Sequence, residues 1–491
     1  MNRRNFMKAG ALTGVSLSTS PLLACSSAEI RDSFLANSLE APGDIDRAST
    51  STPSSRRVLP FSYPRILPKS PTFTVRAAEQ QITVLHTSVG AFAAFACEGP
   101  VDVVIETPIP IANVRIAPAR HAIKSAVSQN RVSFRLLQPL NLLIEVEGLE
   151  QLFLYASAPD RNAPAPTDAG VHYFRSGQVY EVGEFRLKEN ETLYIEGGAV
   201  VRGCIRATSA RNVRIAGHGV LDGSYYRRDV DGHRSIVLED CRDSLVEDII
   251  VIEPSHWMIV LGASQNIAVR NVKELGNGNG TDGVDIVGSR QIRIQDCFFR
   301  NGDDCIVIKS LDLRSEREDV TLDFTCDVED VEVTGCSLLA YSGGQAFEIG
   351  HELRTNSIRN IRFRDCDILG VHDFGAPFGI HNADHATISD VLYEDIRVEH
   401  HYNKFIEFRI FESRWSKDKE RGQIRNVTLR NIEAVISIYN PGYTLSAIGG
   451  CDADHTVEHV RFENLRLNGN VVKSADDLDL YTKHAADISF S

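Results

Sequence analysis

Ile292-Arg-Ile-Gln-Asp-Cys297 is one copy of a short pattern that recurs along the second half of this chain, and its spacing decides the fold. Written as apolar-x-apolar-x-(Asp/Asn/Gly)-apolar, with the first position sometimes relaxed, the pattern begins at Ser244, Ile267, Ile292, Val331, Ile361, Val391, Val427 and Val460. Successive starts are 23, 25, 39, 30, 30, 36 and 33 residues apart. Periods of this size mark solenoids, and the strict alternation within each copy marks a strand with one apolar face. Such a strand cannot bury that face alone, so the copies stack and share one core. The spacing predicts an all-β chain built on a right-handed parallel β-helix, with excursions where the period lengthens. Ser310 to Asp330 and Phe411 to Gly422 are the longest of these. No helical periodicity of comparable length interrupts the pattern, which excludes a barrel of alternating strands and helices.

The cysteines follow the same register. Cys297, Cys336 and Cys366 occupy the final apolar position of three successive copies and read as a buried row of small hydrophobes, about 4.8 Å apart. Cys305 reads as packing, since no histidine near it in sequence could activate it as a nucleophile. Cys451-Asp-Ala-Asp-His455 reads as a turn, and no Cys or His spacing matches a zinc motif.

Ahead of the repeats the pattern changes. Short alternating runs start at Phe73, Ile82, Val101, Val114, Val132, Leu142 and Leu152. They predict a β-sandwich over residues 58–165, left through the Pro-rich Ala158 to Thr167, with the β-helix over 166–491 opening near Val171. Arg3-Arg4 followed by a weakly apolar stretch to Ala24 resembles a twin-arginine export signal. Leu22-Leu-Ala-Cys25 resembles a lipobox in which Cys25 is lipidated; cleavage and release is the alternative. Residues 1–25 are therefore expected to be an address and 26–57, rich in Ser, Thr, Ala and Asp, a tether. The expected location is the periplasm or cell envelope as a lipoprotein, or the secreted fraction. The lipid is the only membrane contact expected, since no apolar run is long enough to span. A net charge of -14 with no basic patch argues against nucleic acid.

Two motifs carry chemistry: Asn279-Gly-Thr-Asp-Gly-Val-Asp285 and, one repeat later, Asn301-Gly-Asp-Asp-Cys-Ile-Val-Ile-Lys-Ser310. Aligning the strands after them by alternation turns Val284/Ile286, Ile306/Ile308, Phe347/Ile349 and Phe378/Ile380 inward. The alternate positions form outward rows of Asp285, Val307, Glu348 and Gly379, and of Val287, Lys309, Gly350 and His381. Asp282 then stacks beside Asp304, with Gln345 on the following coil and Asp303 adjacent. Carboxylates so crowded raise at least one pKa, leaving one group protonated as an acid and another ionised as a base. Glycoside hydrolysis needs that division of labour. A Ca²⁺-dependent polysaccharide lyase with Lys309 as base, or a glycan-binding solenoid without catalysis, are the alternative readings. Stacked Asp282 and Asp304 about 5 Å apart match the spacing of retaining enzymes, so stereochemistry stays open.

Gly280-Thr-Asp-Gly-Val-Asp285 and Gly302-Asp-Asp-Cys-Ile-Val-Ile-Lys-Ser310 resemble the Asn-Thr-Asp and Asp-Asp motifs of glycoside hydrolase family 28, the polygalacturonases, and of the related family 49, dextranases and isopullulanases. Gly217-His-Gly-Val-Leu-Asp-Gly223 and Pro254-Ser-His-Trp-Met-Ile259 are similar to earlier coils of the same clan, and the sandwich before the helix is similar to the arrangement in family 49. The resemblance implies an inverting hydrolase of a polysaccharide or oligosaccharide, working without a cofactor or metal, with Asp303 as general acid and Asp282 and Asp304 as bases. It also shows departures. Gln345 stands where polygalacturonases carry the His of Gly-His-Gly, and Gly379-Ile-His381 stands for their Arg-Ile-Lys, which holds the substrate carboxylate. Both changes turn the expectation from galacturonate toward a neutral or differently decorated glycan. Lys309, Gln345, Glu348, His351 and His381 are the expected substrate-binding residues, with Arg354 also in range and Trp257 and Tyr341 as candidate aromatic platforms.

Overall fold

The computed structural model describes residues 58–228, 230–314, 319–435 and 445–491. The export signal, Cys25 and the tether expected over 1–57 lie outside the described residues. Among those described there is no α-helix, and the strands fall into four sheets.

The eight sequence repeats become consecutive neighbours of one twelve-stranded parallel sheet running from Val171–Phe174 to Ala485–Phe490. The reason for the Asp/Asn/Gly position is visible in the backbone. Asp248, Asn271, Asp296, Gly335, Asp365, Asp395, Asn431 and Asn464 all adopt the left-handed conformation, with φ between 47° and 68°. Asn, Asp and Gly tolerate that region best, so each repeat ends in a corner that turns the chain into its next strand. The corners also bond along the stack: the Asn271 amide donates to Asp248 at 2.7 Å and the Asn431 amide to Asp395 at 2.9 Å. A second left-handed corner precedes each repeat, from Asp243 through Asn266, Gln291, Asp330, Asn360, Asp390 and Asn426 to His459, with φ between 53° and 58°.

Two further strands per coil form a twenty-one-stranded sheet. In one coil the order is Arg290–Gln295, then Phe298–Asn301, then Ile306–Ser310. The inward residues of all three make one continuous core that includes Val284, Ile286, Ile306, Ile308, Phe347, Ile349, Phe378 and Ile380. Cys297, Cys305, Cys336 and Cys366 lie in that core, buried as small hydrophobes.

Residues 58–157 build the remaining two sheets, of six and five strands. The inner faces of both meet around Val75, Phe95, Val103, Phe134, Leu142 and Leu154. The strand Gly90–Cys97, buried along its whole length, supplies the other face as well: Phe92 and Ala94, with Phe153 and Tyr155, pack against Val220, Ile250, Leu275, Phe298, Leu339 and Leu369 on the outside of the second strand of each coil. The outside of the third strand is covered differently. Leu311, Leu313, Val320 and Phe324 of the first long excursion close over Val237, Val260 and Val287. The turns joining second to third strands run along the seam between these two covered faces.

Candidate active site

That seam carries the two acidic motifs. Residues 276–283 join Lys273–Leu275 to Val284–Val287, and residues 302–305 join Phe298–Asn301 to Ile306–Ser310. Parallel ladder bonds fix their registration: the Met258 amide donates to the Asp282 carbonyl, the Gly283 amide to the Asp304 carbonyl, and the Cys305 amide to the Gln345 carbonyl, at 2.8, 2.8 and 2.9 Å. Asp282, Asp304 and Gln345 therefore stack on successive coils, with Asp303 one residue aside. Thr281 ties the turns together, donating to the Gly278 carbonyl at 2.8 Å and accepting from the Gly302 amide at 3.1 Å. Gly344 lies directly beneath Asp303; a Cβ there would sit 2.0 Å from the Asp303 carbonyl carbon. Only glycine lets the next coil approach this closely.

The carboxylates are individually held. Asp303 accepts from the Gly280 amide at 2.6 Å, and Asp304 from the Gln345 amide at 2.7 Å. Lys309 Nζ donates to Asp282 at 2.8 Å and to Asp285 at 3.0 Å, over the face of Trp257 at 3.9 Å. Two aspartates thus bond one ammonium, with the half-buried Asp303 and Asp304 beside them. Burial raises the Asp303 carboxyl, and Asp282 adds to it, to about 7. Burial lifts Asp304 well above the usual carboxylate range, reinforced by Asp303, Asp282 and Glu348. Asp285 is raised by burial too. Burial opposes the charge on Lys309, but Asp282, Asp285, Glu352 and Asp304 more than offset it and hold the ammonium charged. The cluster therefore keeps protons at neutral pH.

The first predicted outward row is present: Asp285 pairs with Val307, Val307 with Glu348, and Glu348 with Gly379. Its residues face away from the core yet are buried, with Asp285 and Glu348 at 0% exposure. The second row is broken, because the register shifts between Ile308 and Ser310 and leaves Lys309 out of line with Gly350. The first row continues one coil further than expected, since Gly379 pairs with Glu407. Glu407 is the principal residue that the motifs did not mark. His381 lies between the two glutamates, donating from Nδ1 to Glu348 at 2.8 Å and meeting Glu407 from Nε2 at 3.3 Å. Burial works against its charge, but the two carboxylates raise it to about 9. Lys404 and, at 3.2 Å, Arg409 also engage Glu407.

His351 stacks on His381 with ring centroids 4.7 Å apart, and burial lowers it to about 4, so it is neutral. Its Nδ1 is buried with no hydrogen-bond partner among the described residues. Glu348, His351 and His381 place possible ligand atoms within 4.8 Å of one another. The rings are only 10° from parallel, so their in-plane lone pairs cannot converge on one ion, and both His381 nitrogens face carboxylates. Gln345 spends its side-chain oxygen on the Ala376 amide at 3.2 Å. Of the two aromatic candidates, Trp257 is part of the site, beneath Lys309. Tyr341 belongs to the joint with the N-terminal sheets, where Arg300 covers its ring at 4.2 Å and Gln151 donates to its hydroxyl at 3.1 Å.

The model of glycosyl hydrolases family 28 matches residues 187–485, which contain the four aspartates, Lys309, Glu348, His381 and Glu407. Rhamnogalacturonase A of Aspergillus niger is 34% identical over 91 residues, 17% of this chain and 19% of that protein. Polygalacturonase QRT2 of Arabidopsis thaliana is 20% identical over 246 residues, 47% of this chain and 52% of that protein. These alignments span between a fifth and about half of the relatives' lengths. Among solved structures, Dex49A from Penicillium minioluteum superposes with a TM-score of 0.60 at 13% identity, covering 88% of this chain and 96% of that one, a likeness of fold. The chain belongs to glycosyl hydrolases family 28 and is built on a right-handed parallel β-helix.

Proposed function

We propose that this chain hydrolyses a pectic glycan of the rhamnogalacturonan type, with Asp303 as general acid and Asp282 and Asp304 as the pair that hold and deprotonate the attacking water, so that the anomeric configuration inverts. The observation that carries the assignment of roles is the Asp303 carboxyl, raised to about 7 by burial and by Asp282. A carboxylic acid of that strength still carries a proton in about half of the molecules near neutral pH, and gives it up to a leaving oxygen. Asp282, held by Lys309 at 2.8 Å, takes the water's proton. Asp304, protonated by its burial, orients the water.

What supports a substrate unlike homogeneous polygalacturonan is the state of His381. The position that binds a carboxylate in polygalacturonases holds here an imidazolium already occupied by Glu348 and Glu407. A substrate carboxylate brought there meets two like charges. A neutral sugar finds carboxylate acceptors for its hydroxyls, and His351 adds a neutral ring with an unused nitrogen. The relatives named rhamnogalacturonase point to a chain in which neutral and acidic sugars both occur.

Reducing-sugar release from rhamnogalacturonan, polygalacturonan and dextran tests this. Rhamnogalacturonan is expected to be cleaved and polygalacturonan to be poor; preference for polygalacturonan overturns the substrate assignment. The same proposal has the protein exported by the twin-arginine route and anchored through Cys25. Cys25→Ser is expected to release it from the membrane fraction, and unchanged fractionation counts against the anchor.

A further inference from the structure

Away from the aspartates, a second group of ligand-type side chains comes together where the β-helix begins. Glu184 and Cys204 are direct register partners on the parallel strands Val179–Leu187 and Val200–Thr208. In-register neighbours on one face place their side chains side by side. Cys204 is fully buried but, unlike Cys241, Cys297, Cys305, Cys336 and Cys366, it lies outside the interior core. Its thiol points away from the coil axis, under the turn that follows Asp222. That turn brings His233 over the pair, and the possible ligand atoms of Glu184, Cys204 and His233 all lie within 4.8 Å of one another. His233 Nδ1 is buried and makes no hydrogen bond among the described residues. Tyr226 completes the surround, its hydroxyl 3.6 Å from the Cys204 sulfur and its ring stacked on His233 at 4.0 Å.

We propose that Glu184, Cys204 and His233 bind one divalent zinc-class cation, with water or the Tyr226 hydroxyl in the fourth position. One sulfur, one nitrogen and one oxygen donor form a set suited to Zn²⁺, whose bonds of about 2.0–2.3 Å draw such atoms closer than they stand here. On binding, the cation takes the place of the Cys204 thiol proton, which is released to solvent. The local charges allow this. Arg186 meets Oε1 of Glu184 at 2.5 Å, and the buried Arg206 is directed to the Ile205 carbonyl and, at 3.4 Å, to Asp319. The three residues come from separate coils and a turn, so no short motif announces them. Bound metal would pin the turn carrying His233 to the first coils. The residue after His233, Arg234, lies over the Trp257 ring that also supports Lys309, which links this clamp to the acidic cluster.

The test uses the folded full chain, stripped with a chelator and reloaded with Zn²⁺ or Co²⁺ alone. Zinc is expected to remain at about one equivalent per chain after gel filtration, and the Co²⁺ form to show a thiolate-to-metal charge-transfer band with tetrahedral d–d absorption. Cys204→Ser and His233→Gln should each remove the band, and Glu184→Gln, a substitution at a half-buried site, should weaken binding while the protein melts cooperatively. Absence of bound zinc in the wild-type protein overturns the proposal. So does binding that survives both Cys204→Ser and His233→Gln, which would place the metal elsewhere.

Discussion

The Asp303 carboxylate accepts the Gly280 amide hydrogen at 2.6 Å, so that the second acidic turn is fastened to the first. That bond favours the ionised form, yet burial and Asp282 outweigh it and leave the carboxyl at about 7. The residue proposed to donate a proton is therefore half titrated near neutrality.

A pH dependence follows from this. General-acid catalysis needs Asp303 protonated, so kcat should be level below its pKa and fall tenfold per pH unit above about 7. Initial rates across pH 5–9 check it. In Asp303→Glu the falling limb should move with the new carboxyl, whereas a limb that stays in place assigns the titration to another group.

Gly344 offers a geometric test. Gly344→Ala would push a methyl group to 2.0 Å from the Asp303 carbonyl carbon, and the Asp303-Asp304 turn must shift to admit it. Misplacement of reacting groups by about 1 Å can cost on the order of 100-fold in rate. The variant should keep its circular dichroism spectrum and lose kcat by about that factor, with KM less affected.

Lys309 is bonded to both Asp282 and the fully buried Asp285. Lys309→Met leaves both carboxylates without it. Breaking a buried ion pair from one side typically costs about 3–5 kcal/mol, and protonation of Asp285 will absorb part of that. A denaturant melt should report a loss of roughly 3 kcal/mol at pH 7, smaller at pH 5. The double variant with Asp285→Asn should recover part of it.

Stability should also report the His381 clamp. Its folded pKa of about 9 lies above the ordinary histidine value of 6.5. The contribution is therefore complete below pH 6.5 and is lost as pH rises through about 9, on the order of 3 kcal/mol in all. Asp303 lowers stability with rising pH as well, but over a lower window, from its unfolded value of 3.8 to about 7. The difference in unfolding free energy between wild type and His381→Gln should shrink between pH 6.5 and 9; a constant difference contradicts the clamp.

Much of this was legible because alternation and turn chemistry are local. All eight repeats became neighbours in one sheet, and the stacking of Asp282, Asp304 and Gln345 follows directly from their register. The strand Gly90–Cys97 was not read, since Gly-Ala-Phe-Ala-Ala-Phe-Ala-Cys is buried on both faces and shows no alternation of apolar with polar residues. Glu407 was missed for a different reason. It carries no acidic motif, although Lys404-Phe-Ile-Glu-Phe-Arg-Ile410 alternates and extends the row of Glu348 by two coils. The burial of Asp285 and Glu348 was also hidden, because outward-facing positions of a coil are covered by an excursion and a neighbouring strand distant in sequence. The bulge in Phe347–Leu353 that leaves Lys309 out of line with Gly350 is a backbone irregularity that no alternation pattern encodes.

The most direct measurement of the central claim is reducing-sugar release from rhamnogalacturonan by the wild-type protein and by Asp303→Asn, with the anomeric form of the first product followed by NMR. The wild type is expected to cleave with inversion, and kcat to fall about 10²–10⁴-fold in the variant with little change in KM. Cleavage that persists at wild-type rate in Asp303→Asn, or a product that retains its configuration, would contradict that claim.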